Sequence, residues 1–334
     1  MNSTAYNKLA ERPALSAIVL VKDSYDSIRQ LMDCLRRQTT AGQIEIVFVS
    51  PSAAQLKLRE PELECFHSWL VVEIGRIKSI AHGYAAGIRR AQAPVVALTQ
   101  DHAFPDSRWA ELFIAAHQQE WAAVGPRVTN GNPDTTVSWA DFYISYGEWT
   151  HPDSSGAVRH LPGHNSSYKL RVLLEYEDEL DYLLEAESIL HRRLNAAGYK
   201  LMLESNTCTA HLNYASWSSW LPKRYYQGRQ FASTWARLWS RSRRFMFVAG
   251  SPLIPWRRLG RIQGHVRREQ GSGFLLKLMP SLVLGLLAEG IGQATGYACG
   301  ADNCLEKITR YEFDRLEHVK TVRTSKMADT GRVD

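Results

Sequence analysis

Residues 95–109, VVALTQDHAFPDSRW, place a carboxylate and an imidazole directly behind a run of strand type. Val95, Val96, Ala97 and Leu98 are apolar, Gln100, Asp101 and His102 end the run, and Pro105 and Asp106 follow in a turn. A buried strand would deliver Asp101 and His102 to its carboxyl end, where ligands bind in open α/β sheets. The same letters also suit a plain strand-to-helix turn, with Asp106 or Ser107 opening a helix at Trp109 and Asp101 holding the bend. A second group lies in residues 161–169, LPGHNSSYK. Gly163 would let the backbone come close to a ligand, and His164 and Asn165 offer donors and acceptors; an ordinary Pro-Gly turn with a capping Asn fits equally. In residues 184–203, LEAESILHRRLNAAGYKLML, Glu185 and Glu187 stand at a helix start. They are either working carboxylates or the end of a solvated acidic run through Glu175, Glu177, Asp178, Glu179 and Asp181.

The elements that must hold these groups alternate. Residues 15–21, LSAIVLV, form a compact strand closed by Lys22, Asp23 and Ser24, and Ile28, Leu31, Met32 and Leu35 then repeat at helical spacing. Residues 44–49, IEIVFV, make a second strand that ends in Ser50-Pro51-Ser52, and residues 69–74 a third. Residues 79–91, SIAHGYAAGIRRA, read as a small-residue helix in which Gly83 and Gly87 permit close packing. The strand at Val95 is the fourth. Ala186, Leu190 and Leu194 mark a further helix, stopped by Gly198, before a strand over residues 199–203. Strands alternating with helices predict a mostly parallel sheet in a layered α/β domain.

At 334 residues with 45% hydrophobic and 22% charged side chains, the chain is long and apolar enough to build a substantial core. Its five cysteines are odd in number and lack the paired spacing of a zinc site, which predicts reduced thiols. Residues 1–13 carry Lys8, Glu11 and Arg12 and no apolar core, so they do not read as a secretory signal, and a cytoplasmic location is expected. The formal net charge of +6 is unevenly spread. Residues 205–268 hold twelve Lys or Arg and no Asp or Glu, leaving 28 basic against 34 acidic residues elsewhere. A basic block of this kind favours a polyanionic partner: nucleic acid, an anionic lipid surface or a phosphate-bearing substrate.

The order of elements and three segments together resemble the family 2 glycosyltransferases of the GT-A fold. That resemblance implies a Rossmann-like, mostly parallel sheet flanked by helices over residues 14–213, followed by a helical, basic and apolar C-terminal region over residues 214–320. Residues 1–13 and 321–334 are expected to be tails. Gln100-Asp101-His102 holds the place of the family's acidic metal motif, which implies Asp101 as the central acid and His102 beside it. Residues 161–169 look like the stretch beneath the donor sugar, with Gly163, His164 and Asn165 as donor-binding residues. Arg193-Leu194 and Gly198-Tyr199 match the family's helix, which places Glu187 as the base that deprotonates the acceptor hydroxyl, with Glu185 as its substitute. His211 falls where members often complete the metal site. The implied cofactor is a divalent cation, Mn or Mg, and the implied donor a nucleotide diphosphate sugar. Two departures stand out: Ser50-Pro51-Ser52 replaces acids that grip the base and ribose, leaving Asp23 for part of that contact, and Tyr84-Ala85 replaces an Arg-Asn pair.

Beyond Tyr214 the composition turns to Trp, Tyr and Arg. Phe231, Trp235, Leu238, Ser242 and Phe245 predict one helical face and Arg237, Arg241 and Arg244 another. Ser251-Pro252-Leu253-Ile254-Pro255 reads as a helix break. Residues 274–288 are strongly apolar but shorter than the ~20 residues a spanning helix needs. They predict an interfacial or re-entrant helix beside a basic, Trp-rich one on anionic headgroups, with peripheral membrane contact through residues 229–290. A helical subdomain packed on the catalytic domain fits the same pattern. The whole is similar to bacterial family 2 proteins of surface-polysaccharide assembly, which implies a carbohydrate or lipid-linked acceptor, an inverting transfer, and a place at the cytoplasmic face of the inner membrane. A non-catalytic scaffold of a membrane-associated complex is the alternative. Nucleic acid is not expected as a partner, since the Arg residues alternate with Trp and no recognised motif appears.

Overall fold

The computed structural model describes residues 5–7, 12–151, 154–163 and 165–319. His164 and the expected tail over residues 321–334 lie outside them. Among the described residues ten strands make one sheet: β1 (Ala5–Asn7), β2 (Leu15–Leu20), β3 (Ile44–Ser50), β4 (Ser68–Glu73), β5 (Val95–Thr99), β6 (Ala103–Pro105), β7 (Trp121–Asn130), β8 (Gly156–Val158), β9 (Ser167–Lys169) and β10 (Lys200–His211). Their order is β1-β4-β3-β2-β5-β9-β7-β10-β6, with β8 also on β10. Strands β4, β3, β2 and β5 run parallel to one another, as do β7 and β10, whereas β1, β6, β8 and β9 pair antiparallel. The chain winds outward from β2 to β4 and then returns to lay β5 on the other side of β2. That reversal opens a crevice beyond the carboxyl ends of β2 and β5, where a doubly wound sheet binds its ligand.

The helices that flank the sheet are α1 (Arg29–Arg36), α2 (Ala53–Leu56), α3 (Ile80–Ile88), α4 (Trp109–His117), α5 (Thr136–Tyr146), α6 (Leu170–Leu174), α7 (Leu180–Leu183) and α8 (Glu187–Ala196). Alternate side chains of β2 serve the two faces. Ile18 and Leu20 pack with α3, α7 and α8, while Ala17 and Val19 pack with α1 and α4. Gly83 and Gly87 bring α3 onto β2 as their spacing predicts: a methyl group at either would stand 2.9 Å from Leu20 or 2.5 Å from Ile18. Asp106 is the turn residue. Its carboxylate accepts from the Cys208 N–H at 2.7 Å and the Thr207 hydroxyl at 2.9 Å, tying the start of α4 to β10.

The C-terminal third is helical but differs from its sequence reading. The face expected to run from Phe231 to Phe245 is split, because α9 (Trp217–Trp235) ends in a turn before α10 (Arg241–Gly250). The Ser-Pro-Leu-Ile-Pro segment does not break the chain direction. A single 3-10 turn, Ser251–Leu253, leads into α11 (Ile254–Cys299), and Pro255 sits in the first turn, where its missing N–H costs nothing. The apolar segment 274–288 lies in the second of the two helical arms that make up α11; they meet at Gly271, whose φ is 83°, and fold back on each other, so that Arg258 bonds Glu289 and a methyl group on Gly290 would stand 2.7 Å from Pro255. By length and composition the stretch Arg241–Cys299 could cross a membrane, and 39% of its most apolar window is buried inside the protein. Helix α11 lies against α9 with backbones in contact: a methyl group on Gly292 would stand 2.1 Å from the Tyr225 carbonyl and one on Gly228 2.2 Å from the Glu289 carbonyl. Helix α12 (Cys304–Phe313) and a 3-10 turn, Arg315–His318, then fold back over the carboxyl edge of the sheet.

Candidate active site

The end of β5 is fixed from two sides. The Tyr84 hydroxyl donates to the Thr99 carbonyl at 2.7 Å, and the Thr99 hydroxyl donates to the Ile18 carbonyl at 2.8 Å. Beyond that anchor, His102 Nδ1 lies 2.6 Å from Asp101 Oδ1, so the ring donates to the carboxylate and its Nε2 faces Glu312 of α12, 3.7 Å away. Burial pushes the Asp101 carboxyl up to about 7, against the pull of the Arg315 guanidinium. The His211 ring meets the His102 ring edge to face, 5.1 Å between centroids. Its Nδ1 donates to Asn213 Oδ1 at 3.0 Å, because the Asn213 amide nitrogen is already spent on Asn130 and on the His211 carbonyl. That fixes the tautomer. His211 Nε2 carries the lone pair, is buried and has no hydrogen-bond partner among the described residues, and burial holds the ring neutral.

On the far side of β5, Gly163 and Glu187 meet. A Cβ at Gly163 would stand 2.5 Å from the Glu187 carboxyl carbon, so the acid lies directly on the glycine backbone. Glu187 is the first residue of α8 and lines a cavity of about 760 Å³ with Gly163, His160, His191, Tyr146 and Trp149. The same cavity reaches Gln100 and His211. Glu185 lines it too but accepts from Gln230 at 3.2 Å and Thr234 at 3.3 Å, both on α9, and burial raises its carboxyl. Asn165 adopts φ +83° and donates its backbone N–H to the Leu98 carbonyl at 2.7 Å. Its side-chain nitrogen is buried without a hydrogen-bond partner among the described residues. Asp23 is exposed behind β2 and lines neither this cavity nor the smaller one beside Asp101.

Asp101, His102 and His211 thus come together, and Glu187 and Gly163 come together across the sheet edge. The expected metal set is not completed by that meeting. Asp101 and His102 bind one another, and among the described residues no three His, Cys, Asp or Glu side chains stand where they could hold a metal ion. The five cysteines are free thiols, as their count predicts.

Sequence reading missed a buried ion network beside the site. Asp141 on α5 accepts from the Trp220 indole at 2.7 Å and lies 3.1 Å from Arg224 and 3.9 Å from Arg315. Lys223 lies 3.5 Å from Glu312, Arg315 lies 2.5 Å from Glu312, and Glu289 bonds Arg224 and Arg258. The Tyr214 ring lies under both Lys223 and Arg315, at 5.0 and 4.4 Å. The only trace in the sequence is a basic block that no acid interrupts. Its partners come from positions 141, 289 and 312, and no spacing rule links them.

No family model matches the chain, and no curated protein matches it. Among solved structures, it is similar to the mannosyltransferase PcManGT from Pyrobaculum calidifontis in complex with GDP-Man and Mn2+, with TM-score 0.51 and 15% identity over 85% of this chain and 88% of that one. It is also similar to S. aureus TarS: to residues 1–349 in complex with UDP, TM-score 0.45 and 14% identity over 84% of this chain and 90% of that one. Against the longer TarS structure the TM-score is 0.40, and the chain spans 55% of that protein's length. The likeness to the mannosyltransferase establishes the fold, the GT-A arrangement that the sequence resemblance implied.

Proposed function

We propose that the protein transfers a sugar from a nucleotide diphosphate sugar to a carbohydrate or lipid-linked acceptor, with inversion. The observation that carries this reading is the Glu187 carboxylate, laid on Gly163 in the wall of a 760 Å³ cavity at the carboxyl edge of a GT-A sheet. A donor sugar placed over Gly163 would present its anomeric carbon to that cavity. Glu187 would take the proton of an acceptor hydroxyl as the oxygen attacks from the face opposite the leaving diphosphate. The buried His211 Nε2 and Asn165 amide nitrogen, unpartnered among the described residues, supply an acceptor and a donor for groups of the bound donor substrate. The GDP-Man of the mannosyltransferase structure supports a nucleotide-sugar donor. No step is routed through a metal, since the described side chains do not compose a site for one.

A membrane-borne acceptor is supported by the surface of α10 and α11. Phe245, Met246, Leu253 and Trp256 are exposed there, between Arg241, Arg243, Arg257 and Arg261, and the exposed positions from Arg241 to Arg268 include no acid. Such a face suits the cytoplasmic surface of an anionic bilayer. Isothermal titration with nucleoside diphosphates and their sugars tests the donor site: Asp101→Ala should weaken binding at least tenfold. Equal binding by the variant would remove Asp101 from the site. One observation favours the scaffold reading instead. The space beside Asp101 holds only about 20 Å³ in this conformation, far less than a nucleotide needs.

A further inference from the structure

The small cavity and the large one share a wall. Ile80, Gln100 and Glu312 line both, and Phe313 closes the small side against Leu20 and Tyr84. Among the described residues Glu312 is thus the one carboxylate that lines both cavities, between the end of β5 and Glu187. It is nine-tenths buried, with Arg315 at 2.5 Å, Lys223 at 3.5 Å and His102 at 3.7 Å around it. Burial alone would raise its carboxyl, but Arg315 and Lys223 outweigh that and hold it well below the usual range. In the network as a whole Lys223, Arg224, Arg258 and Arg315 face Asp141, Glu289 and Glu312, so withdrawal of Glu312 leaves four cations facing two carboxylates. That surplus in a buried site matches a diphosphate.

The segment carrying Glu312 is held to Tyr214 by the hydroxyl of that residue, which donates to the Tyr311 carbonyl at 2.8 Å, but only loosely to the sheet. On the sheet side α12 and its C-cap are fastened by the exposed pair Arg76 with Glu306 at 2.7 Å and the partly exposed pair Lys22 with Asp314 at 2.5 Å. Two left-handed residues, Gly300 at φ +79° and Asp302 at φ +52°, join it to α11. Lys223 and Arg315 have anchors besides Glu312: both lie over Tyr214, and Arg315 also donates to the Leu212 carbonyl at 3.4 Å.

We propose that Glu312 stands in for the donor's diphosphate, and that Lys223 and Arg315 receive that diphosphate when the last turn of α12 withdraws. The proposal rests on the nucleotide-sugar reading. It assigns to two side-chain cations the charge compensation that the incomplete metal set does not provide, and it accounts for the closed space beside Asp101.

The test is titration calorimetry of the full chain with UDP and GDP, and with uridine and guanosine as controls, in the presence of EDTA. One diphosphate should bind without metal. Its affinity should rise about tenfold in Glu312→Gln, which removes the internal competitor, and fall at least about tenfold in Lys223→Met. The matching nucleoside should change less than about twofold in either. Melting curves guard against a folding defect: Glu312→Gln alone should melt lower and gain more from the diphosphate than the wild type does. If Lys223→Met does not fold, the opposite shifts of affinity and melting in Glu312→Gln decide. Diphosphate binding that both variants leave unchanged, or that EDTA abolishes, overturns the proposal and leaves the nucleotide-sugar reading standing. No binding of either diphosphate to the wild type or to Glu312→Gln overturns both.

Discussion

The Glu187 carboxylate occupies the room that Gly163 leaves by having no side chain, so these two positions are read together. Glu187→Gln keeps the shape and loses the proposed base. It should lower transfer by about 10²- to 10⁴-fold while donor affinity stays within about threefold. Loss of binding and turnover together would instead mark Glu187 as a donor contact. Gly163→Ala should also slow transfer, because the new methyl group displaces the acid. Lys223 makes a prediction about pH. Burial lowers its ammonium from 10.5 to about 8, so above that value the folded chain holds fewer protons than the unfolded one. Stability contributed at this position is therefore lowest below about pH 8 and rises between about 8 and 10.5, by roughly 3 kcal/mol in all. Wild type minus Lys223→Met, followed by denaturant unfolding across that window, should show the rise; a flat difference would contradict the burial of a charged amine. Glu187 was legible in the sequence because an acid opened a helix at a recognisable distance from Gly198. Lys223 and Arg315 were not, since their carboxylate partners Glu312 and Asp141 stand 89 and 174 positions away and leave no periodic mark.

At the scale of elements, the four parallel strands were readable because strands buried on both faces appear as unbroken apolar runs. The three-residue strands β6, β8 and β9 were not, being defined by the partners they meet rather than by their own composition. Nor was the reversal within α11, which falls at Gly271 with its positive φ and not at either proline. What holds α11 to α9 is a line of glycines, and that contact can be tested by contrast. Gly292→Leu drives a side chain into the Tyr225 carbonyl and should cost roughly 2–4 kcal/mol in denaturant unfolding. Gly260→Ala, on the other arm of α11 with open space around its Cα, should stabilise by about 1 kcal/mol. Equal effects of the two would mean that the helices do not pack as described.

For the whole molecule, the cavity at the carboxyl edge of the sheet is walled by α12 and by the inner face of α11, while the outer face of α10 and α11 is exposed. The Arg-rich, acid-free character of that face was legible from composition alone; its exposure was not, because the same residues could have lined a core. Phe245→Ser combined with Trp256→Ser should cut sedimentation with vesicles of anionic phospholipid at least fivefold, with little change for vesicles of neutral phosphatidylcholine. Unchanged sedimentation would place the acceptor elsewhere. Transfer through Glu187 is measured most directly as release of nucleoside diphosphate from a panel of UDP- and GDP-sugars, supplied with a bacterial membrane-lipid extract as acceptor. Wild-type protein should release it from one donor, and Glu187→Gln should bind that donor yet release at least about 100-fold less. Release that Glu187→Gln leaves intact, or none from any donor by a folded wild type, would contradict the account.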